Sequence, residues 1–383
     1  MTSFSTRTRS PFRYDVVGSF LRPQRLKDAR AAYADGRLDQ KGLKAVEDDC
    51  IRDLIHQEEK VGLKAVTDGE FRRSWWHLDF FWGLQGLERH QASQGYAFHN
   101  QKESFASRAE TAKLVGPLGG KNHPFVDHFK FTKSQVSPGI QVKQTIPAPA
   151  QLLAELQRPE NHRQITEIYG SQEALVKGIV KAYREVIAEL YEAGCRTLQI
   201  DDCTWPALVD WHAHPEHIPG YGLNVQALDA NKAAFVEVNN AVLTGLPDDL
   251  TVNTHACRGN YRSSWSNSGG YDYVTDPLFT QEKVNAFYLE YDTKRAGGFE
   301  PLKFVPKDKY VVLGLVTSKS GTLEDKDAII KRIYEAANYH DLDHLCLSPQ
   351  CGFASTEEGN VLTPEQQWQK IELIKDIAET VWK

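Results

Sequence analysis

The sequence contains no run of about 18 apolar residues, so no segment of it is suited to span a membrane. It also lacks a strong excess of either charge. The formal net charge is -6, and this mild negative balance argues against nucleic acid as the main partner. Cysteine is sparse, six in 383 residues, and scattered. That argues against a disulfide framework and for reduced thiols in the cytoplasm, some of them free to bind a metal. The first ten residues are rich in Ser, Thr and Arg but have no apolar core of the secretory kind. No Gly-x-Gly-x-x-Gly and no phosphate loop follows the first predicted strand, so nucleotide binding has no motif. These absences leave small-molecule chemistry in a globular chain that is 41% hydrophobic and 25% charged.

What is present is a rhythm. Short buried strands are predicted at 14–18, 63–67, 140–145, 196–200, 251–255, 284–289, 310–315 and 344–347. Helical stretches separate most of them, at 24–33, from an Asp39 N-cap to 61, and at 149–156, 171–193, 226–243, 324–340 and 364–382. The rhythm breaks at 71–136. That stretch opens with Trp75, Trp76, Phe80, Phe81 and Trp82 and turns polar and glycine-rich, as expected of an insertion forming a hairpin and lid. Strands alternating with helices predict one α/β domain over 1–383, a single (β/α)8 TIM barrel with a large insertion after the second strand. A doubly wound open sheet is the alternative. The barrel is preferred because polar residues collect at the C-terminal ends of nearly all strands, and a barrel brings those ends to one mouth.

The strand at 251–255 carries the most informative of these ends, His255-Ala-Cys257. Side chains two apart on a strand point the same way, so imidazole and thiol aim at one place. Imidazole and thiolate are zinc ligands. In a barrel, Glu290 ends the next strand and Cys351 follows the last, which makes His255, Cys257, Glu290 and Cys351 a candidate tetrahedral set for Zn2+. Cys203 competes as a ligand beside Asp202, whereas Cys346 between two leucines is expected in the core, and Cys50 and Cys195 are expected to be structural. A rim salt bridge at Glu290 and an inert loop thiol at Cys351 are the alternatives.

These motifs, in order, resemble the catalytic barrel of the cobalamin-independent methionine synthase family. The resemblance rests on Gly18-Ser19, Asp68-Gly-Glu70, Gln199-Ile-Asp-Asp202, Thr254-His-Ala-Cys257, Glu290 and Pro349-Gln-Cys-Gly352, and is strongest to short, single-barrel members. It implies a methyltransferase of methionine biosynthesis. Zinc held by residues matching His255, Cys257, Glu290 and Cys351 would activate homocysteine as a thiolate, and a methyl donor would supply the transferred group. Gly18 and Ser19 would bind the homocysteine carboxylate, and Glu70 and Asp201 its ammonium. The alternative for Glu70 is a pair with Arg72 or Arg73.

Three departures from the family pattern concern the amino-acid pocket and the donor. A second family acid downstream of Asp201 has no counterpart, because Cys203-Thr-Trp-Pro206 stands there. Lys319 occupies the place of a family histidine thought to protonate the folate leaving nitrogen, and the aspartate near that histidine is missing. Lys319 and Asp201 are therefore the candidate catalytic residues. A folate-stacking tryptophan after the third strand is replaced by Thr145-Ile-Pro-Ala-Pro149. The donor, 5-methyltetrahydrofolate or another methyl carrier, stays open, as does a homo-oligomeric state. Two other functions stay open as well. One is alkyl transfer to a different thiol, as in the epoxyalkane–coenzyme M transferases, which would need Arg22, Arg72, Arg258 or Lys319 to face inward. The other is a zinc-free barrel of the uroporphyrinogen-decarboxylase type.

Overall fold

The computed structural model describes residues 4–217 and 227–383; Gln226, where the sequence starts one helix, lies outside them. The strands are β1 (Ala65–Val66), β2 (Gln85–Gln91), β3 (Ala97–His99), β4 (Ser104–Ala106), β5 (Glu110–Gly119), β6 (Gln141–Pro147), β7 (Thr197–Asp201), β8 (Thr251–Ala256), β9 (Ala286–Glu290), β10 (Tyr310–Val316) and β11 (Leu345–Pro349). The helices are α1 (Gln24–Ala34), α2 (Gln40–Val61), α3 (Leu78–Gly83), α4 (Pro124–Gln135), α5 (Pro149–Leu156), α6 (His162–Ile168), α7 (Gln172–Glu192), α8 (Thr204–Ala213), α9 (Leu228–Leu243), α10 (Lys326–Ala336) and α11 (Pro364–Val381). The helix ends follow from local chemistry. Asp39 caps α2 by accepting from the Gly42 amide, and Gly62 at φ 96° ends it in the left-handed region. Ser171 caps α7, and Thr363 with Gln366 forms a capping box on α11.

Seven strands form one parallel sheet in the order β1-β6-β7-β8-β9-β10-β11. They are buried on both faces, as a sheet wrapped by helices requires. The curled sheet is closed by the chain near Tyr14, which makes a parallel bridge to Leu347. On the other side the Phe20 amide donates to the Gly69 carbonyl at 3.1 Å. The expected strand at 14–18 is thus reduced to one bridge. The Asp15 carboxylate accepts from the Val16 amide at 2.8 Å and competes with ladder pairing. The result is an α/β barrel, as expected from the strand rhythm.

Residues 71–136 fold as α3, an antiparallel pair of β2 with β5, a hairpin of β3 with β4, and α4. The last of these packs on α2, α7 and β6, so it serves as a barrel helix, and the non-barrel part ends before it. The β3–β4 hairpin reaches across to the chain after β8. The His99 amide donates to the Trp265 carbonyl at 2.6 Å, and the Trp265 amide donates to the His99 carbonyl at 3.0 Å.

Three cores result. A large one lies between sheet and helices, a second gathers Phe20, Ile51, Leu54 and Phe353 around α2, and a small one, Val17, Ala286, Tyr288, Val312 and Cys346, fills the barrel interior. Cys346 is core, as expected. Beside it sits a buried polar knot. Lys143 Nζ donates to Asp15 Oδ1 at 2.8 Å, and Tyr288 Oη donates to Asp15 Oδ2 at 2.8 Å. This knot ties the bridging chain to β6 and β9. Asp15→Ala would leave an unpaired ammonium in the barrel, and is expected to destabilise the fold by about 3–5 kcal/mol. Denaturant unfolding measures this, and a loss below about 1 kcal/mol, the range of exposed pairs, would contradict it.

Candidate active site

The mouth is built from strand ends. Parallel register sets Asp201 of β7 against His255 of β8, and His255 against Tyr288 of β9. His255 Nδ1 lies 3.1 Å from the Tyr288 carbonyl oxygen, which fixes the ring and turns Nε2 toward the Cys351 thiol. Nε2 is buried and makes no regular hydrogen bond. Cys257 Sγ lies 3.2 Å from Cys351 Sγ. The imidazole nitrogen and both sulfurs fall within 4.8 Å of one another, all on buried residues. A tetrahedral ion with bonds of about 2.3 Å to sulfur sets two sulfurs roughly 3.8 Å apart, so the trio has the donor chemistry of three zinc ligands and needs its sulfurs to part slightly to take the ion.

Electrostatics point the same way. The Cys257 thiol is pushed well up, first by the hydrogen-bonded Cys203 thiol and then by burial. The Cys351 thiol is pushed up first by Cys257 and then by burial. Two thiolates at this spacing would repel one another without a cation, and the nitrogen that lacks a hydrogen bond could serve as a third ligand to one. Cys203 brings a third sulfur to the same cavity, in contact with Cys257.

The fourth expected ligand, Glu290, stands apart from this trio. Its Oε2 accepts from the Arg258 amide at 2.9 Å and its Oε1 from Arg295 at 2.7 Å. Burial pushes its carboxyl up. The Lys319 ammonium, followed by Arg295 and Arg258, outweighs that and holds it down at about 2. The rim salt bridge weighed from sequence is present here. Lys319 Nζ is buried and has no hydrogen-bond partner. Burial lowers its pKa, but Glu290, then Asp292, then Cys257 outweigh that and raise it. Lys319 is thus a lasting cation behind the ligands. Its ammonium does not line the cavity.

The other expected residues converge on a cavity of about 350 Å³ lined by Ser19, Glu70, Asp201, Cys203, His255, Cys257 and Cys351, with Trp75, Trp76, Tyr96, Phe98, Trp211 and Tyr261 opposite. Gly18 lies just outside it and is needed for close approach, since a Cβ there would stand 2.7 Å from Thr145 Cγ2. Ser19 Oγ accepts from the Ala354 amide at 3.3 Å and is crowded by Gly352, where a Cβ would sit 1.9 Å from it. Glu70 Oε1 accepts from Thr145 Oγ1 at 2.8 Å and lies 3.2 Å from Arg73, while its buried Oε2 has no partner. Arg72 pairs instead with Glu47 and Asp48. Asp201 Oδ1 accepts from Gln199 Nε2 at 2.7 Å.

Sequence reasoning missed three contributors. Phe98 and Tyr261 come from polar stretches with no periodic signal. His214, Glu216 and His217 form a second close group, near which His217 Nδ1 lies 2.6 Å from Asp210 Oδ2. The run His212-Ala-His214-Pro-Glu216-His217 was the available signal for it.

An α/β barrel with a buried nitrogen-and-sulfur ligand set at its mouth defines a class of enzyme scaffold. Comparison with known proteins narrows it. The profile of the family described as cobalamin-independent synthase, catalytic domain, matches residues 12–366. The chain belongs to the cobalamin-independent methionine synthase family. The Bacillus subtilis protein YxjH is 41% identical over 376 residues, 98% of this chain and 96% of its own. A methionine synthase of Saccharolobus solfataricus is 26% identical over 341 residues, 88% of this chain and 86% of its own. A crystal structure of the "Putative Vitamin-B12 Independent Methionine Synthase" from Listeria monocytogenes superposes with a TM-score of 0.74 at 32% identity, covering 97% of this chain and 98% of that one.

The Asp201 carboxyl is raised well above its ordinary range, first by burial and then by the Glu70 carboxylate. A raised carboxyl adds stability below the ordinary Asp range, and that stability is lost as the pH climbs toward the folded-state value. Asp201→Asn is therefore expected to melt above the wild type at about pH 8 and close to it at about pH 4. Thermal melts at the two pH values check this, and a lower melting point at the higher pH would count against it.

Proposed function

We propose that the protein is a zinc-dependent methyltransferase that methylates homocysteine to methionine. The observation that carries this reading is the buried trio of His255, Cys257 and Cys351, with two sulfurs in contact and an imidazole nitrogen lacking a hydrogen bond. Membership of the family and the archaeal methionine synthase relative support it. Bound there, zinc would hold the acceptor sulfur as a thiolate at neutral pH, where a free thiol of pKa about 8.5 is mostly protonated.

The chain's own residues supply the rest. His255, Cys257 and Cys351 would hold the ion, and Glu290 is the family-implied fourth ligand. Its bonds to Arg258 and Arg295 compete with ligation, so the acceptor thiol takes that position at lower cost. Glu70, with its free Oε2, and Asp201 bind the amino acid's ammonium, and Ser19 faces its carboxylate. Lys319 acts as a counter-ion, offsetting the negative charge that gathers at Cys257 and Glu290. Six cysteines without a disulfide suit the reducing cytoplasm.

The coenzyme M-type reading has little support. Arg22 donates to the carbonyls of Ala354, Glu70 and Arg73, Arg72 pairs with Glu47 and Asp48, and Arg258 donates to Gly269. Neither these three nor Lys319, the fourth candidate, is among the described residues that line the cavity. The zinc-free reading is settled by metal content. Purified protein is expected to hold one zinc per chain, lost in Cys257→Ser and in Cys351→Ser, and zinc-loaded enzyme is expected to form methionine from homocysteine and a methyl donor. Wild-type protein without zinc under reducing conditions, or loaded enzyme inert toward homocysteine with every donor, would refute the proposal.

A further inference from the structure

The aromatic side of the cavity has no part in the reading above. Phe98, Tyr261, Trp75 and Tyr96 form one continuous wall. Ring centroids are 5.1 Å apart for Phe98 and Tyr261, 6.2 Å for Trp75 and Tyr261 with planes 7° apart, and 5.9 Å for Trp75 and Tyr96. All four line the cavity.

The cavity lining carries one sign of charge, while Arg108, Arg158 and Arg262, which do not line it, lie over the rings of Trp75, Tyr96 and Tyr261 at 4.9, 4.8 and 5.6 Å from the ring centroids. Among the described lining residues, Glu70, Asp201, Asp210 and Glu216 are acids and none is Lys or Arg. The cations near the ligand trio are turned away from the cavity. Arg295 pairs with Glu290 and Asp292, Arg258 donates to Gly269, and Lys319 is set against Glu290. An anionic methyl carrier would meet no Lys or Arg in the described lining. A cation with no N–H to donate is the ligand that aromatic faces and nearby carboxylates attract. A second observation is independent of the first. The position expected to hold a proton donor holds Lys319, an ammonium that does not line the cavity. A donor whose leaving group departs neutral needs no such proton.

We propose that the aromatic half of the cavity binds a methyl-onium cation, a methylsulfonium or a quaternary methylammonium, as the methyl donor. The inference rests on the thiol-methylation reading above. In the transfer, an electron pair of the acceptor thiolate sulfur forms the new S–CH3 bond. The CH3–S or CH3–N bond of the donor breaks, and its pair stays on the departing atom. The positive donor leaves as a neutral thioether or tertiary amine, no proton moves in this step, and nothing is oxidised or reduced.

The test has a binding readout and a turnover readout. Zinc-loaded protein is titrated with trimethylsulfonium and with choline, followed by tryptophan fluorescence, against 3,3-dimethyl-1-butanol as the uncharged isostere of choline. Saturable binding at least about tenfold tighter than the isostere, weakened about tenfold in Phe98→Leu at unchanged zinc content, is expected. Trp75→Leu is the second variant, because Phe98 also packs the hairpin. Cation binding no tighter than the isostere overturns the inference, whatever the turnover assay shows. For turnover, homocysteine is offered S-methylmethionine, glycine betaine and 5-methyltetrahydrofolate in turn. Methionine from the sulfonium or the betaine supports the inference and tells the two onium classes apart. Methionine from the folate alone overturns it and leaves the proposed function standing. Selective cation binding with no methionine from any donor overturns the proposed function instead.

Discussion

Two sulfur atoms, Cys257 Sγ and Cys351 Sγ, meet at 3.2 Å across 94 residues of chain. The rest of the site depends on that meeting. One thiol follows β8 and the other follows β11, so they come together only if the sheet curls until its strand ends share a mouth. The curl is closed by the chain near Tyr14, and that chain is anchored by Asp15 to Lys143 and Tyr288 inside the barrel. A buried ion pair with a phenol as third partner is a costly way to fill a barrel unless each group is satisfied. Here it holds Val17 and Ser19 beside the ligand trio, and so couples barrel closure to the shape of the cavity.

Charge is sorted on two sides of the ligands. Behind them lie Lys319, Arg258 and Arg295, engaged with Glu290 and Asp292. In front, the cavity shows carboxylates and aromatic rings. A metal with two thiolates would sit between the two. The cations behind would offset negative charge gathered at the cysteines, and the acids in front would favour positively charged groups on incoming molecules. Burial raises both carboxyls and Glu70 raises Asp201 further, an arrangement that an ammonium beside them relieves.

The barrel was legible in the sequence because its strands are short apolar runs ended by Gly, Asp or Glu, and its helices carry ordinary caps. Asp39, Gly62, Ser171 and Thr363 act as their residue types predict. The ligand trio was legible for the same reason, since strand alternation aims His255 and Cys257 together and the fold class brings Cys351 to them. What was not legible depends on side-chain partners. Glu290 is engaged by Arg258 and Arg295, which no spacing announces. Lys319 has its pKa raised by neighbours from other strand ends. The first strand shrank to one bridge because Asp15 turns back on its own backbone. Phe98 reaches the cavity through a hairpin docked on Trp265, a contact across a stretch with no periodicity.

The central claim is that the ligand trio presents a bound ion to an acceptor thiol. Zinc K-edge X-ray absorption on the loaded protein, before and after homocysteine is added, tests it most directly. The account predicts that the first shell gains one sulfur when homocysteine binds, with the two protein sulfurs and the imidazole retained. An unchanged shell in the presence of saturating homocysteine would contradict it.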